Sequence, residues 1–310
     1  MNSDIIADFL LVLIKILSLS FVMLLGWVMR RTSCLDDNAT TRMSNVMLNF
    51  VFPAMVFPFL LKTVTREVFR TSWHIPLSGF VVILLAQLAA IIIAPFFCPK
   101  KNRKVFIFLA GSPNWIFLPL PIVEGLFGND GVRTLLLYSV GAQIALWTVG
   151  LYILNGAKPS LKTLKTLINP GFIAIVVGLA IAGLFPAVHN VLMAEEISRN
   201  PLNLLFVSAV QATEMLGSLT IPLALLVIGS RIGGFKFSDR PPMLEYAGII
   251  IARLIVGPIL FMLALLVTKQ LGLNIPPMTI TIGYLISCMP VAVTAIVFVE
   301  NFGGGSLMGA

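Results

Sequence analysis

The sequence predicts an all-α polytopic membrane protein built from two inverted five-helix repeats, and three observations carry that reading. Only 11% of the residues are charged while 58% are hydrophobic, whereas soluble domains carry about a quarter charged residues. Disorder, coiled coil and collagen each need a different composition, and a soluble core of this size would have nothing to cover it. Apolar runs of about 20 residues, the length that crosses a bilayer, recur nine times along the 310 residues. Prolines also fall at corresponding places in two halves of the chain. Because the runs are continuous and not alternating, a β-barrel is excluded.

Span 1 covers residues 5–29. Asp4 and Asp8 stand before it and no basic segment does, so a retained first membrane helix is expected in place of a cleaved signal peptide. Span 2 (43–62) contains Phe52-Pro53-Ala54, and span 3 (73–97) is long and apolar. Span 4 (104–127) holds Pro113, Pro119 and Pro121 and ends in Glu124-Gly125-Leu126-Phe127. Gly128-Asn129-Asp130-Gly131 reads as the turn into span 5 (132–155). Span 6 (169–188) opens at Asn169-Pro170, span 7 (202–230) contains Ile221-Pro222-Leu223, span 8 (243–268) carries Arg253, and span 9 (277–299) contains Pro290.

Residues 1–156 form the first repeat, 157–168 a cytoplasmic linker with Lys158, Pro159, Lys162 and Lys165, and 169–310 the second repeat. Five spans is an odd number, so a second copy enters the membrane upside down, as in secondary transporters. Span 2 and span 7, each second in its half, share a proline, and so do spans 4 and 9, each fourth. The second half shows four spans. A tenth helix is expected beyond the eight residues from Gly303 to Ala310, which at about 1.5 Å each do not cross a bilayer.

The loops after spans 1, 3, 5 and 7 hold thirteen Lys and Arg, and the opposite loops hold six. The positive-inside rule then puts the N-terminus outside and the odd-numbered loops in the cytoplasm. The net charge of +8 is assigned to topology, not to nucleic acid. The residues Lys62, Arg66 and Arg70 run against the bias.

Three prolines within nine residues of span 4 remove backbone donors and clash with preceding turns. In hydrocarbon an interrupted helix is tolerated where protein or a water-filled cavity satisfies the freed groups. Paired interrupted helices are the best sequence pointer to a carrier's binding site. The expected crossover residues are Pro113, Asn114, Pro119 and Pro121 on span 4 and Pro290 and Thr294 on span 9. Lys15, Glu214 and Arg253 lie inside spans, where a charge costs about 2.5–3.5 kcal/mol on the insertion scale. Two readings stand for each: a structural one, with Lys15 paired to Glu214 and Arg253 anchored to carbonyls or helix ends, and a functional one, with a cation meeting an anionic substrate or a carboxyl carrying a coupling proton. Gln87, Gln143, Asn45, Asn49 and Thr294 fit interhelical hydrogen bonds, and Glu124 and Glu300 fit solvated span ends.

The run Asn114 to Pro121 with Phe127-Gly128, then Tyr138-Ser139-Val140-Gly141-Ala142-Gln143 and Trp147-Thr148-Val149-Gly150, resembles the auxin efflux carrier family. Leu25-Gly26-Trp27, Ile221-Pro222-Leu223-Ala224-Leu225 and Met289-Pro290-Val291-Ala292-Val293 extend the likeness over essentially the whole chain. The family, a branch of the superfamily that includes bile-acid, arsenite and riboflavin carriers, is one of carriers for auxin-like acids or small dicarboxylates such as malonate. The resemblance implies ten helices in two inverted repeats, with helices 4 and 9 unwound and crossing beside the substrate. Carried over, it gives Asn114, Pro121, Gln143 and Pro290 as site positions. Ile116 and Pro119 stand where the family usually has glycine.

The function expected is therefore a secondary carrier or exporter of small organic anions by alternating access, in a bacterial plasma (inner) membrane. The other readings are a membrane sensor or scaffold that binds without transport, and a sodium-coupled carrier like the bile-acid symporters, although no compact sodium cage is visible. The expected partners are the organic anion, the lipid bilayer and a second copy in a homodimer, with no nucleic acid. No cofactor, no metal site and no enzyme activity are expected. Cys34, Cys98 and Cys288 are scattered, His74 and His189 have no ligand-spaced partner, and no hydrolase elbow, zinc motif or phosphate loop occurs.

Overall fold

The computed structural model describes residues 2–155, 169–194, 200–235, 243–292 and 295. They are helical almost throughout. The linker 157–168, Thr294, Glu300 and everything after it lie outside the described residues. In chain order the helices are α1 (Asn2–Arg31), α2 (Asp37–Val46), α3 (Phe52–Thr63), α4 (Arg66–Thr71), α5 (His74–Phe97), α6 (Arg103–Ala110), α7 (Pro119–Ala145), α8 (Leu151–Asn155), α9 (Pro170–Leu184), α10 (Pro186–Met193), α11 (Pro201–Gly217), α12 (Thr220–Gly234), α13 (Met243–Ile251), α14 (Gly257–Gln270) and α15 (Pro277–Ser287). Short π-helical turns join α2 to α3, α7 to α8 and α13 to α14. Two of these turns stand directly before Phe52-Pro53 and Gly257-Pro258. A proline ring clashes with the carbonyl four residues back, and a widened turn relieves that clash.

By length and composition, five helices among the described residues are able to cross a membrane: Asp37–Thr63, His74–Phe97, Pro119–Leu154, Pro201–Gly234 and Met243–Gln270. The pair Pro170–Leu184 and Pro186–Met193 makes a sixth if its two parts are one span, and they are bent by 95°. Span 6 was expected as a single span over 169–188. Phe185, with φ −124° and ψ 72°, obeys the steric rule for a residue preceding proline, and the helix turns there. Span 2 begins earlier than expected because Asp36 caps α2, its carboxylate accepting from the Ala39 amide at 2.6 Å. Between α6 and α7 the chain is not helical, which divides span 4. Gly128, with φ 56° and ψ −149°, lies in a region open to glycine and breaks the helical path of α7, where a turn between spans 4 and 5 was expected.

The chain forms two compact units, one of Met1–Trp73, Leu120–Arg133 and Ile168–Phe235, the other of His74–Pro119, Thr134–Leu167 and Lys236–Ala310. Each takes helices from both halves of the sequence. In the first, α1 packs along α12, and α3 packs against α9 and α11. Gly26 and Gly229 allow the first of these contacts. A methyl group on Gly26 would strike the Leu226 carbonyl oxygen, and one on Gly229 the Met23 carbonyl oxygen. Small residues that bring backbones together are how membrane helices gain packing energy when lipid supplies no hydrophobic drive. The Thr220 hydroxyl donates to the Val51 carbonyl at 3.2 Å, so the two Xaa-Pro segments of spans 2 and 7 meet. Gly229→Ala is expected to cost about 1–3 kcal/mol by overpacking. A detergent melting curve reads it as a fall of several degrees, and an unchanged midpoint contradicts it.

In the second unit α5 packs against α6, α13, α14 and α15. Ala90 and Ala94 of α5 meet Cys98, Phe106, Ala110 and Ala252 in a buried cluster.

Candidate functional site

Two interrupted helices meet inside the second unit. α6 stops at Ala110 and α7 starts at Pro119. α15 stops at Ser287 and the chain runs on without helix through Pro290. Residues 112–114 and 290–292 lie antiparallel, with Pro113 opposite Val291. The Asn114 N–H donates to the Pro290 carbonyl at 2.8 Å and the Ala292 N–H to the Ser112 carbonyl at 2.9 Å. Each break thus supplies partners for backbone groups that the other has freed, which is the requirement hydrocarbon imposes. Pro113 has no N–H to offer, and none is needed at that position of the pair.

Pro119 and Pro121 play a different part from the one expected. Both are buried and sit in the first turn of α7, where a missing N–H costs nothing. They start the second helix, whereas Gly111 to Leu118 form the interruption. Asn114, 6% exposed, links the two parts. Its Oδ1 accepts from the Phe117 amide at 3.1 Å and the Leu118 amide at 3.5 Å. Its Nδ2 makes no hydrogen bond among the described residues. Gln87 of α5 supports the same segment, its Nε2 donating to the Gly111 carbonyl at 3.2 Å. Gln87 was expected to bond between helices, and it does so at the site itself.

Arg253 is fully buried on the π turn between α13 and α14. Its Nε donates to the Met289 carbonyl at 3.1 Å, and its Nη2 donates to those of Met289, Ser287 and Ile286 at 2.8, 3.2 and 3.4 Å. The anchoring reading of Arg253 matches this geometry: a guanidinium sits on the carbonyl end of α15, where the helix dipole is negative. Its Nη1 has no hydrogen-bond partner among the described residues. Toward the other end of α15, the Tyr138 hydroxyl donates to the Thr279 carbonyl at 2.8 Å. Gln143 is buried on α7, Pro290 is exposed, and Thr294 lies outside the described residues.

Glu214 has an ion-pair partner in the first unit, while the expected pairing with Lys15 falls on a side chain outside the described residues. Glu214 lies near the end of α11, which packs on α3, and Lys62 in the last turn of α3 reaches it at 2.6 Å. Lys15 is on α1, and its side chain is outside the described residues. Glu124 is exposed, as expected of a span end.

Cys98 follows α5 and is buried, whereas Cys34 is exposed. Burial pushes the Cys98 thiol up to about 11, with the Glu245 carboxylate adding to the effect and Arg103 opposing it. The thiolate is the nucleophile. In a Cys288→Ser chain, a maleimide at pH 8 is therefore expected to label Cys34 and leave Cys98 untouched. Labelling of Cys98 should rise about tenfold per pH unit toward 11. Equal rates at pH 8 would contradict this.

Helices long and apolar enough to cross a membrane, two of the chain's helices being interrupted and bonded at their breaks, define a multi-pass membrane protein among the described residues. A family model described as "Membrane transport protein" matches residues 11–307, and the chain belongs to that family, the auxin efflux carriers, a family of transporters and not of enzymes. It is also similar to an uncharacterised transporter of Methanocaldococcus jannaschii, at 22% identity over 140 residues, 44% of this chain and 46% of that protein. The chain spans about half the length of that curated relative.

Proposed function

We propose that the chain is a secondary carrier of small organic anions, dicarboxylates or auxin-like acids, across a bacterial plasma membrane. The observation that carries it is the junction of the two breaks, with Asn114 Nδ2 left as an unused donor beside it. Charge supports the anion. Arg253 puts a positive charge within hydrogen-bond distance of the carbonyl before Pro290, and a site with one sign of charge in a low-dielectric wall concentrates the opposite ion. Asn114 Nδ2 and backbone amides of the breaks hold the carboxylate, and the prolines hold the breaks open. Transport proceeds by alternating access, with the N-terminus outside and gradients as its energy source.

Inverted repeats are part of this reading. Exchanging span 1 with span 6 and span 2 with span 7 turns the α1–α12 contact into the α9–α3 contact, and both occur in the first unit. The Pro53 and Pro222 segments meet there as the Pro113 and Pro290 segments meet in the second. The test is uptake of radiolabelled malonate and indole acetate by proteoliposomes carrying the wild type or Asn114→Ala. One hydrogen bond to a charged group is worth about 1.5–3 kcal/mol, so roughly a ten- to hundredfold loss is expected. Equal flux removes Asn114 from the site, and no saturable flux of either acid removes the carrier reading.

A further inference from the structure

Away from the two breaks, the second unit buries a second polar pair that the carrier site does not use. Glu245 in the first turn of α13 is 2% exposed, and Asn102, the residue before α6, is 6% exposed. Asn102 Nδ2 donates to Glu245 Oε1 at 3.2 Å. The other two head-group atoms, Asn102 Oδ1 and Glu245 Oε2, are buried with no hydrogen-bond partner among the described residues. Both of them are acceptors. Two buried acceptors on a pair of hydrogen-bonded side chains are costly as they stand, because neither brings a hydrogen.

A carboxylic acid and a primary amide are complementary. The amide N–H donates to the carbonyl oxygen of the acid and the acid O–H to the oxygen of the amide, closing a ring of two hydrogen bonds. Half of that ring is already made. We propose that Asn102 and Glu245 form a proton-binding site in which Glu245 Oε2 takes up one proton and donates it to Asn102 Oδ1. A single proton then satisfies both orphaned atoms and removes a buried charge.

The surroundings favour a proton over a metal cation. Hard cations take six or more oxygens, and two are free here. Arg103 donates from Nε to the Cys98 carbonyl at 3.2 Å and from Nη2 to the Pro95 carbonyl at 3.4 Å, bringing positive charge to the same turn. No ion pair with Glu245 occurs among the described residues.

The charged and titratable groups on the elements packed around Glu245 are few. Cys98 at the end of α5 stays a neutral thiol, and His74 stands at the far end of α5. α6 brings Arg103 and Lys104, preceded by Lys100 and Lys101. On the glutamate's own segment are half-exposed Tyr246 and Arg253, whose guanidinium is held by the α15 carbonyls. Lys236, Asp239 and Arg240 precede α13 and lie outside the described residues.

In a carrier such a carboxyl couples flux to a pH gradient; that consequence rests on the organic-anion reading, while proton binding does not. The test is infrared difference spectroscopy of the purified full chain in liposomes, titrated between pH 4 and 9, for the wild type, Glu245→Gln and Asn102→Leu. The wild type is expected to show one buried carboxylic-acid C=O band that fades as pH rises. Glu245→Gln, whose amide completes the same ring, keeps the wild-type melting midpoint and lacks the band. Asn102→Leu retains the band, shifted to higher frequency because the acid O–H has lost its acceptor. A band absent at every pH, a band unchanged in Glu245→Gln, or a band that responds to sodium at fixed pH overturns the proposal, the last in favour of a cation site. Should Glu245→Gln not fold, a wild-type band indifferent to Asn102→Leu overturns it equally. Malonate flux measured alongside separates the two readings: a band without flux sinks the carrier, and flux without a band sinks the proton site.

Discussion

Arg253→Met is expected to lower stability by about 3–5 kcal/mol, the cost of removing one partner from a buried charged arrangement. For a protein of this size roughly 2–4 °C is lost per kcal/mol, so the melting midpoint in detergent falls by about 10 °C. The reason is local. Three carbonyls at the end of α15, those of Ile286, Ser287 and Met289, share one guanidinium. A helix leaves its last carbonyls without intrahelical partners, and here the following residues turn away to meet the other break. Arg253→Lys keeps the charge but not the planar fork, so an intermediate fall is expected. Arg253→Met melting within a degree or two of wild type would show that the carbonyls find other partners and that the anchor is dispensable.

The hydrophobic arithmetic read the chain as helical and membrane-spanning but counted nine spans, whereas five helices among the described residues, or six with the bent pair, are long and apolar enough to cross; the prolines marked where two helices are interrupted. Local sequence does not say which peptide groups meet across a break, and the pairing of Ser112 and Asn114 with Pro290 and Ala292 appears only in the fold. Pro119 and Pro121 were expected to interrupt a helix and instead begin one, because a proline's effect depends on whether it falls in the first turn or later. The bend at Pro186 follows a rule of local sterics but lay inside an apolar run that masked it. Glu214 was legible as a charge needing a partner. Lys62 was not legible as that partner, since the choice depends on α11 lying against α3. Glu245 gave no signal at all, because a glutamate at the start of an apolar run reads as a solvated end, and Asn102 stands 143 positions earlier in the chain.

Asn114→Asp separates the two duties of Asn114 more sharply than any truncation does. Aspartate caps as well as asparagine, so its carboxylate oxygen still accepts from the Phe117 and Leu118 amides, and stability is expected to stay within about 0.5 kcal/mol of wild type, against a loss of about 1 kcal/mol for Asn114→Ala. The change removes the Nδ2 donor and sets a negative charge beside the junction. A like charge facing an anion costs several kcal/mol, and every 1.4 kcal/mol is about tenfold, so organic-anion flux should fall by at least about a hundredfold while the protein melts normally. The order in flux is then wild type, Asn114→Ala, Asn114→Asp, and the order in stability is wild type equal to Asn114→Asp, with Asn114→Ala below. A purely architectural asparagine gives the opposite order, with Asn114→Ala worst in both measurements. Flux and melting midpoint taken on the same three preparations decide between a residue that shapes the break and one that also holds the substrate.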